Sequence, residues 1–451
     1  MFALRSTEMA ERLGTQVSTS AITEKRRDSL MGKYLSRTCC IVGGGPAGMM
    51  LGYLLARAGI EVQILEKHAD FLHDFRGDTV HPSTLELMHE LGVLEDLLTL
   101  PHQRVTKVRA RIGGDEIVLN DMAYLRTNCK FLVLMPQWHF LNFLATQGCR
   151  YPTFHLQMQT EAKTLIEENG QVAGIRAVAA DGPVEIRADL VVSADGRSSV
   201  LRERAGLVVD EMDADIDLLW MRLSKHLDDP DFWIHAQRGK ALVTLDRGEY
   251  WQCGLVIPKG SAPKMQVKGA EGLRASIVER APFLSDRISE VRDWNDAKLL
   301  KVKVDRLRRW YRPGLICIGD AAHAMSPVGG VGINLAVQHA VAAANILVRP
   351  LREGALRTSH LAKIQRRREF AAKHTQRVQG VILRHLTADR RAPWPVRLLE
   401  ATTLPRWLRT RFVCIGVRPE HVETLDAFKV SPFGGRSQQV MAAEGKEKLR
   451  V

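Results

Sequence analysis

Thr38-Cys39-Cys40-Ile41-Val42 runs directly into Gly43-Gly44-Gly45-Pro46-Ala47-Gly48, and an apolar helical pattern follows to Ala58-Gly59. A second apolar run, Ile60 to Leu65, ends on Glu66. The spacing predicts strand, glycine turn, helix and strand within about 30 residues, the opening βαβ unit of a doubly wound fold. In G-x-G-x-x-G the first glycine (Gly43) permits the tight turn. The second (Gly45) lets backbone N–H groups approach a pyrophosphate, and the third (Gly48) lets the helix pack on the strand. The phosphates then sit on the unpaired N–H groups at the helix N-terminus. Glu66 lies 18 residues past Gly48, where an acid accepts hydrogen bonds from an adenosine ribose. A dinucleotide is expected here.

Two further segments repeat the theme of an acid at a strand's end. Asp189 to Ala194 reads as a buried strand leading into Asp195-Gly196-Arg197-Ser198-Ser199. Leu315 to Ile318 reads as another, leading into Gly319-Asp320-Ala321-Ala322-His323, with Ser326-Pro327-Val328-Gly329-Gly330-Val331-Gly332-Ile333-Asn334 just beyond. Asp320 suits the ribityl hydroxyls of a flavin, and the Gly332–Asn334 amides suit the pyrimidine edge of its ring. That edge is negative in the reduced state, so a helix N-terminus stabilises it. The three segments together point to FAD.

Over about residues 37–390 the chain resembles the class A flavoprotein monooxygenases, the group of para-hydroxybenzoate hydroxylase. Arg76-Gly77-Asp78-Thr79-Val80-His81-Pro82 is similar to that family's flavin-contacting segment, and Met135-Pro136-Gln137-Trp138-His139 to its second flavin contact. The resemblance implies that FAD is held by Gly43, Gly45, Ala47, Gly48, Glu66, Lys67, Arg76, Gln137, Asp195, Asp320, Pro327, Gly332, Ile333 and Asn334. It also implies that the Asp195, Arg197 and Arg202 segment touches the nicotinamide cofactor. His339 departs from the family, which often has an acid there.

The implied activity is reduction of FAD by NADPH or NADH. Reaction with O2 follows, and a flavin C4a-hydroperoxide then hydroxylates an aromatic or enolic small molecule. Three other readings compete with it. One is a hydroxylase or epoxidase of a lipid-soluble quinone or polyene, docked on a membrane surface. Another is a non-catalytic flavoprotein. A flavin halogenase would need W-x-W-x-I-P over residues 253–258, but Cys253 and Leu255 stand where the tryptophans belong.

The expected fold class is α/β: a Rossmann-like FAD-binding domain of the GR2 type, an inserted antiparallel β-sheet substrate domain and a helical C-terminal region. Residues 1–36 are expected to be a disordered extension or an over-long gene start. The FAD-binding domain occupies 37–205 and 301–390, the substrate sheet 206–300, and a basic helical region and tail 391–451. Pro82 to Glu86 carries a Ser-x-x-Glu capping box, expected to start a helix. A hairpin is expected around Gly113-Gly114, a turn at Asn169-Gly170, and a helix from Trp138 to Thr146. On the substrate sheet Trp220, Arg222, Trp251 and Cys253 are cavity candidates. Trp220 and Arg222, two apart on a strand, share a face. No catalytic base is assigned, and no metal ligands.

The chain has 451 residues, 45% of them apolar and 25% charged, which excludes disordered, collagen-like and coiled-coil classes. Seven scattered cysteines without a CxxC pair suit a reduced, cytoplasmic setting. Residues 361–411 hold 13 Lys and Arg against three acids, so this stretch carries +10 of the net +13. Peripheral contact with anionic membrane is one reading of that excess, and a solvated helical face is the other. No nucleic-acid motif accompanies it.

Overall fold

The computed structural model describes residues 33–72, 79–112, 114–212, 214–231, 233–237, 239–387 and 403–429. Its main sheet runs in the order Tyr311–Arg312, Leu315–Cys317, Gly182–Ser193, Lys33–Val42, Val62–Leu65, Phe154–Gln157. The four central pairings from Leu315–Cys317 to Phe154–Gln157 are parallel. Residues 39–42, 62–65, 190–193 and 315–317 at its centre are buried throughout, as a sheet covered on both faces requires. The first strand starts at Lys33, five residues before the expected Thr38, because Lys33 to Arg37 pair with Val184 to Ala188 on the long partner strand.

Helix α1 (Pro46–Arg57) is buried along almost its whole length. Helix α2 (Pro82–Glu90) begins with Pro82 at its first turn, and its N-cap His81 makes no side-chain cap. The expected capping box does not form. Glu86 instead turns away to accept hydrogen bonds from the Thr127 hydroxyl and from the backbone and side chain of Asn128. Helix α3 spans Gln137–Gly148, helix α4 Gly332–Arg352, helix α5 Thr358–Thr387 and helix α6 Thr403–Cys414. Among the described residues, the segment containing α4 is the one helix long and apolar enough to cross a membrane. However, 78% of its apolar window is buried among α1 and the sheet. The Asn169-Gly170 turn forms as expected, with both residues at positive φ (50° and 77°), the geometry of a two-residue hairpin turn.

The second sheet corrects the expected boundary. Its order is Lys298–Leu300, Ile216–Ser224, Tyr250–Pro258, Lys240–Asp246, Ile234–Gln237, Lys107–Ile112, Asp115–Asp121. The hairpin around residue 114 therefore belongs to this sheet, joined to it by a parallel pairing of Ile234–Ala236 with Ala110–Ile112. It is not confined to residues 206–300. Alternation along Ile216–Ser224 divides the sheet into two faces. Leu219, Met221 and Leu223 pack with Trp251, Cys253 and Leu273 under the short helices of 262–280. Trp220 points the other way, toward Val328 and Val413.

The segment up to Asp426 is latched onto the first domain. Glu420 pairs with Arg367 and Arg368, Asp426 with Arg57, and the Tyr151 hydroxyl donates to Asp426. Part of the basic excess of 361–411 is thus spent internally, Lys373 also pairing with Glu369. The remainder of the tail, from residue 430, and the Pro393-Pro395 region lie outside the described residues, as do residues 1–32.

Candidate FAD and substrate site

Backbone geometry fixes the glycine turn. Gly43 sits at φ +110°, and a Cβ there would lie 2.3 Å from the Ala194 carbonyl oxygen. A Cβ on Gly48 would lie 2.0 Å from the Gly43 carbonyl oxygen. At Gly45 an added Cβ would meet no protein atom within 4 Å, so this is the open side of the turn. No side chain caps α1, whose first-turn N–H groups, around Ala47 and Gly48, are left for a ligand. The neighbouring Glu66 is buried. One carboxylate oxygen accepts from the Gly44 N–H (2.8 Å) and the other from the His68 N–H (3.0 Å). Each oxygen keeps a lone pair for further donors. Lys67 beside it is exposed.

Gly319 brings the third segment against the first. At φ +59° it slots between α1 and α4, where a Cβ would be 2.9 Å from the Ala47 Cβ. Asp320 is thereby carried to the mouth of α1, partly exposed, with the Arg197 guanidinium 3.3 Å away. Asp195 is half-buried at the start of its loop. Its carboxylate accepts from the Ser193 hydroxyl (2.5 Å) and the Leu201 N–H (3.4 Å), so it organises its own loop. Arg202 is a buried strut. It pairs with Asp305, itself fully buried, and donates to the Ala321 and Arg197 carbonyls. Asp305 also accepts from the Ala324 N–H (3.0 Å). One buried ion pair therefore ties the Asp195 segment to the Asp320 segment. Asp305 was missed in the sequence because nothing local marks a lone acid at a strand end as the partner of an arginine 103 residues away.

Asn334 is the second knot. Its side-chain oxygen accepts from the His81 N–H and the Thr84 hydroxyl, both at 2.8 Å. Its amide donates to the Thr79 and Gly330 carbonyls, both at 3.1 Å. Three of the four bonds hold residues 79–84 against the start of α4, which has no side-chain cap, and the fourth ties in the preceding loop at Gly330. Ile333 is buried behind it, and Gly332 has open space where a Cβ would go. Pro327 caps a short turn over Val328–Gly330 in which Gly329 and Gly330 are both left-handed (φ +79° and +61°). Gln137 is buried in the first turn of α3. Arg76 lies outside the described residues.

These features fit FAD. The open glycine turn with the uncapped N-terminus of α1 and the acids Glu66 and Asp320 follow the carboxyl ends of the parallel strands, where a doubly wound sheet takes its ligand, and the uncapped α4 lies just beyond Asp320.

Of the substrate candidates, Trp220 faces the flavin-side loop. Its indole lies flat over Gly254, where a Cβ would be 2.8 Å from the ring. Arg222 shares that face but sits exposed at the strand's end, stacked on Tyr250. Trp251 is corrected. It and Cys253 lie on the opposite face, and the Trp251 indole N–H donates to Asp229 in a buried cluster with Arg287. Strand parity decides this, since 251 pairs with 223 rather than with 220. Trp233 joins the Trp220 side, and both indole N–H groups are buried without a partner among the described residues.

A cavity of about 60 Å³ lies behind the Val328–Val331 loop, among α4, α5 and residues 412–419. That is well below the roughly 150 Å³ of a cavity that holds benzene.

His339 and His323 form a fully buried pair with their Nε2 atoms 3.2 Å apart, packed against Trp310. Burial drives both pKa values down, His323 to about 3, and burial likewise takes His81 to about 4. These imidazoles are neutral in the folded protein, whereas in the unfolded chain they protonate near pH 6.5. The folded state thus binds fewer protons, and stability is lost as pH falls from 6.5 toward 4. For His81 alone the shift corresponds to on the order of 3 kcal/mol. Urea unfolding midpoints measured between pH 7 and 4.5 should fall with pH, and more steeply in the native protein than in His339→Phe. Equal slopes would mean the pair is not buried neutral.

A family model described as an FAD binding domain matches residues 36–378. The 6-methylpretetramide 4-monooxygenase of Streptomyces rimosus is 31% identical over 369 residues, covering 81% of this chain and 88% of that protein. In fold, the chain is similar to the crystal structure of p-nitrophenol 4-monooxygenase from Pseudomonas putida DLL-E4. The TM-score is 0.70 at 19% identity, covering 86% of this chain and 99% of that one. It is also similar to a flavin-dependent brominase, with a TM-score of 0.72 at 16% identity, covering 85% of this chain and 94% of that one. Those two likenesses concern the fold alone. Matched across most of its length, the chain belongs to the FAD-binding-domain family and is an oxidoreductase of the class A flavoprotein monooxygenases.

Proposed function

We propose that this enzyme uses NADPH or NADH and O2 to hydroxylate a small aromatic or enolic compound seated between the Pro327–Val331 loop and the Trp220 face of the second sheet. The observation that carries this reading is the gathering of the flavin-side segments on the side of the second sheet that carries Trp220 and Trp233. Bound FAD supplies the redox and oxygen-transfer chemistry. Gly45, the α1 N-terminus, Glu66 and Asp320 hold it, and Asn334 and the Arg202–Asp305 pair keep those segments in register. Arg76 and Gln137 belong to the same proposed set.

Trp220 and Trp233 offer a broad apolar wall, which suits a planar aromatic or enolic substrate. The S. rimosus relative, named for a 6-methylpretetramide substrate, supports an aromatic or enolic substrate class.

The test follows NADPH and NADH oxidation in air, with and without phenols, quinols and polyketide-like enols. A compound that accelerates oxidation and gains one oxygen atom establishes the reaction. Uniformly slow oxidation, or peroxide as the sole product, would sink it. Trp220→Ala should raise KM for the active compound about tenfold through the loss of the ring's packing, while the substrate-free oxidation rate holds.

A further inference from the structure

Helix α5 carries a row of polar side chains on its buried side. Gln365, Arg368, Gln376 and Gln379 fall at spacings of three, eight and three with Ala372 between, which places them in one stripe. All four are buried. An amide facing the core costs free energy unless it is bonded, so each must find a partner. The three glutamines find theirs on two neighbouring stretches, 305–310 and 324–328. Gln365 accepts from the Trp310 N–H and donates to the Arg308 carbonyl. Gln376 donates to the Asp305 and Ala324 carbonyls and accepts from Arg306. Gln379 donates to the Ser326 carbonyl (2.9 Å) and the Val328 carbonyl (2.7 Å).

The last pair matters most. Residues 324–331 form an irregular loop with two left-handed glycines, so regular secondary structure cannot satisfy its carbonyls. Because Gln379 Nε2 donates to two carbonyls, the amide's orientation is fixed by chemistry. We propose that Gln379, with Gln376 one turn earlier, is a positioning residue that sets the Ser326–Val328 loop against the flavin. Helix α5 would then be the template for the cofactor loop as well as a packing element. This rests on the FAD reading above and on no particular substrate.

The test titrates apoprotein with FAD by flavin fluorescence and records the visible spectrum of the bound flavin. The proteins compared are the native chain, Gln379→Met and Gln365→Met. Methionine keeps the length of glutamine and removes its hydrogen bonds. Both variants lose two bonds to backbone on the same helix, so both should unfold at lower urea. Gln379→Met should raise the FAD Kd about tenfold, within roughly 5- to 30-fold for two lost bonds, and shift the flavin bands. Gln365→Met should leave Kd within about twofold of native. If Gln379→Met does not fold, Gln379→Asn, which keeps the amide but falls one methylene short, gives the same readout. Native affinity and spectrum in the Gln379 variant, or equal weakening by Gln365→Met, would overturn the proposal. A native chain that binds no FAD would overturn the cofactor reading along with it.

Discussion

Gly48→Ala is expected to purify without flavin. The new methyl would stand 2.0 Å from the Gly43 carbonyl oxygen, which is backbone and cannot rotate away. Helix α1 must therefore retreat from the turn by more than an ångström. That retreat withdraws its N–H groups from the pyrophosphate position and opens the contact with the first strand. The FAD Kd should rise at least about 100-fold, a loss of roughly 2.7 kcal/mol, with some loss of stability. Gly45→Val is the companion measurement. Its side chain enters space that no protein atom occupies within 4 Å of the Cβ, so the fold should hold while FAD affinity falls by a similar factor. Native affinity in Gly45→Val, read by fluorescence titration, would mean that the pyrophosphate does not cross this turn.

Asp305→Ala should be among the most destabilising single changes in the chain. Asp305 has no solvent exposure, and its partner Arg202 is 6% exposed. Removing the acid strands a buried guanidinium and frees the Ala324 N–H, with an expected cost of about 3–5 kcal/mol. The shift in urea midpoint measures it. Replacing both partners, as Arg202→Met with Asp305→Leu, should recover much of that stability, because the desolvated charge disappears with its partner. It should not recover FAD affinity, since the two loops are then no longer tied. A double variant as unstable as the single one would show that the ion pair is not the source.

Local sequence carried a great deal here. The βαβ opening, the Asn169-Gly170 turn, helix α3 and the strand preceding Asp320 were all legible, because each depends on neighbours within a few residues. The Ser83–Glu86 capping box failed for an instructive reason. Its residue pattern is local, but Glu86 had better donors at Thr127 and Asn128, some 40 residues on. The assignment of Trp251 failed on parity. Both tryptophans lie on strands of one sheet, and only the pairing of residue 220 with 254, and 223 with 251, separates their faces.

The glycine turn, the acids at the strand ends and the doubly wound architecture are written locally, since glycine sterics and apolar periodicity act at short range. Packing settled the rest: the 107–121 hairpin completes the second sheet, residues 416–427 latch onto the first domain, and Asp305, Asn334, Gln376 and Gln379 tie together loops far apart in the chain. A buried polar group is satisfied by whichever partner the packed chain brings within about 3 Å. That choice spans tens to hundreds of residues and leaves no local mark.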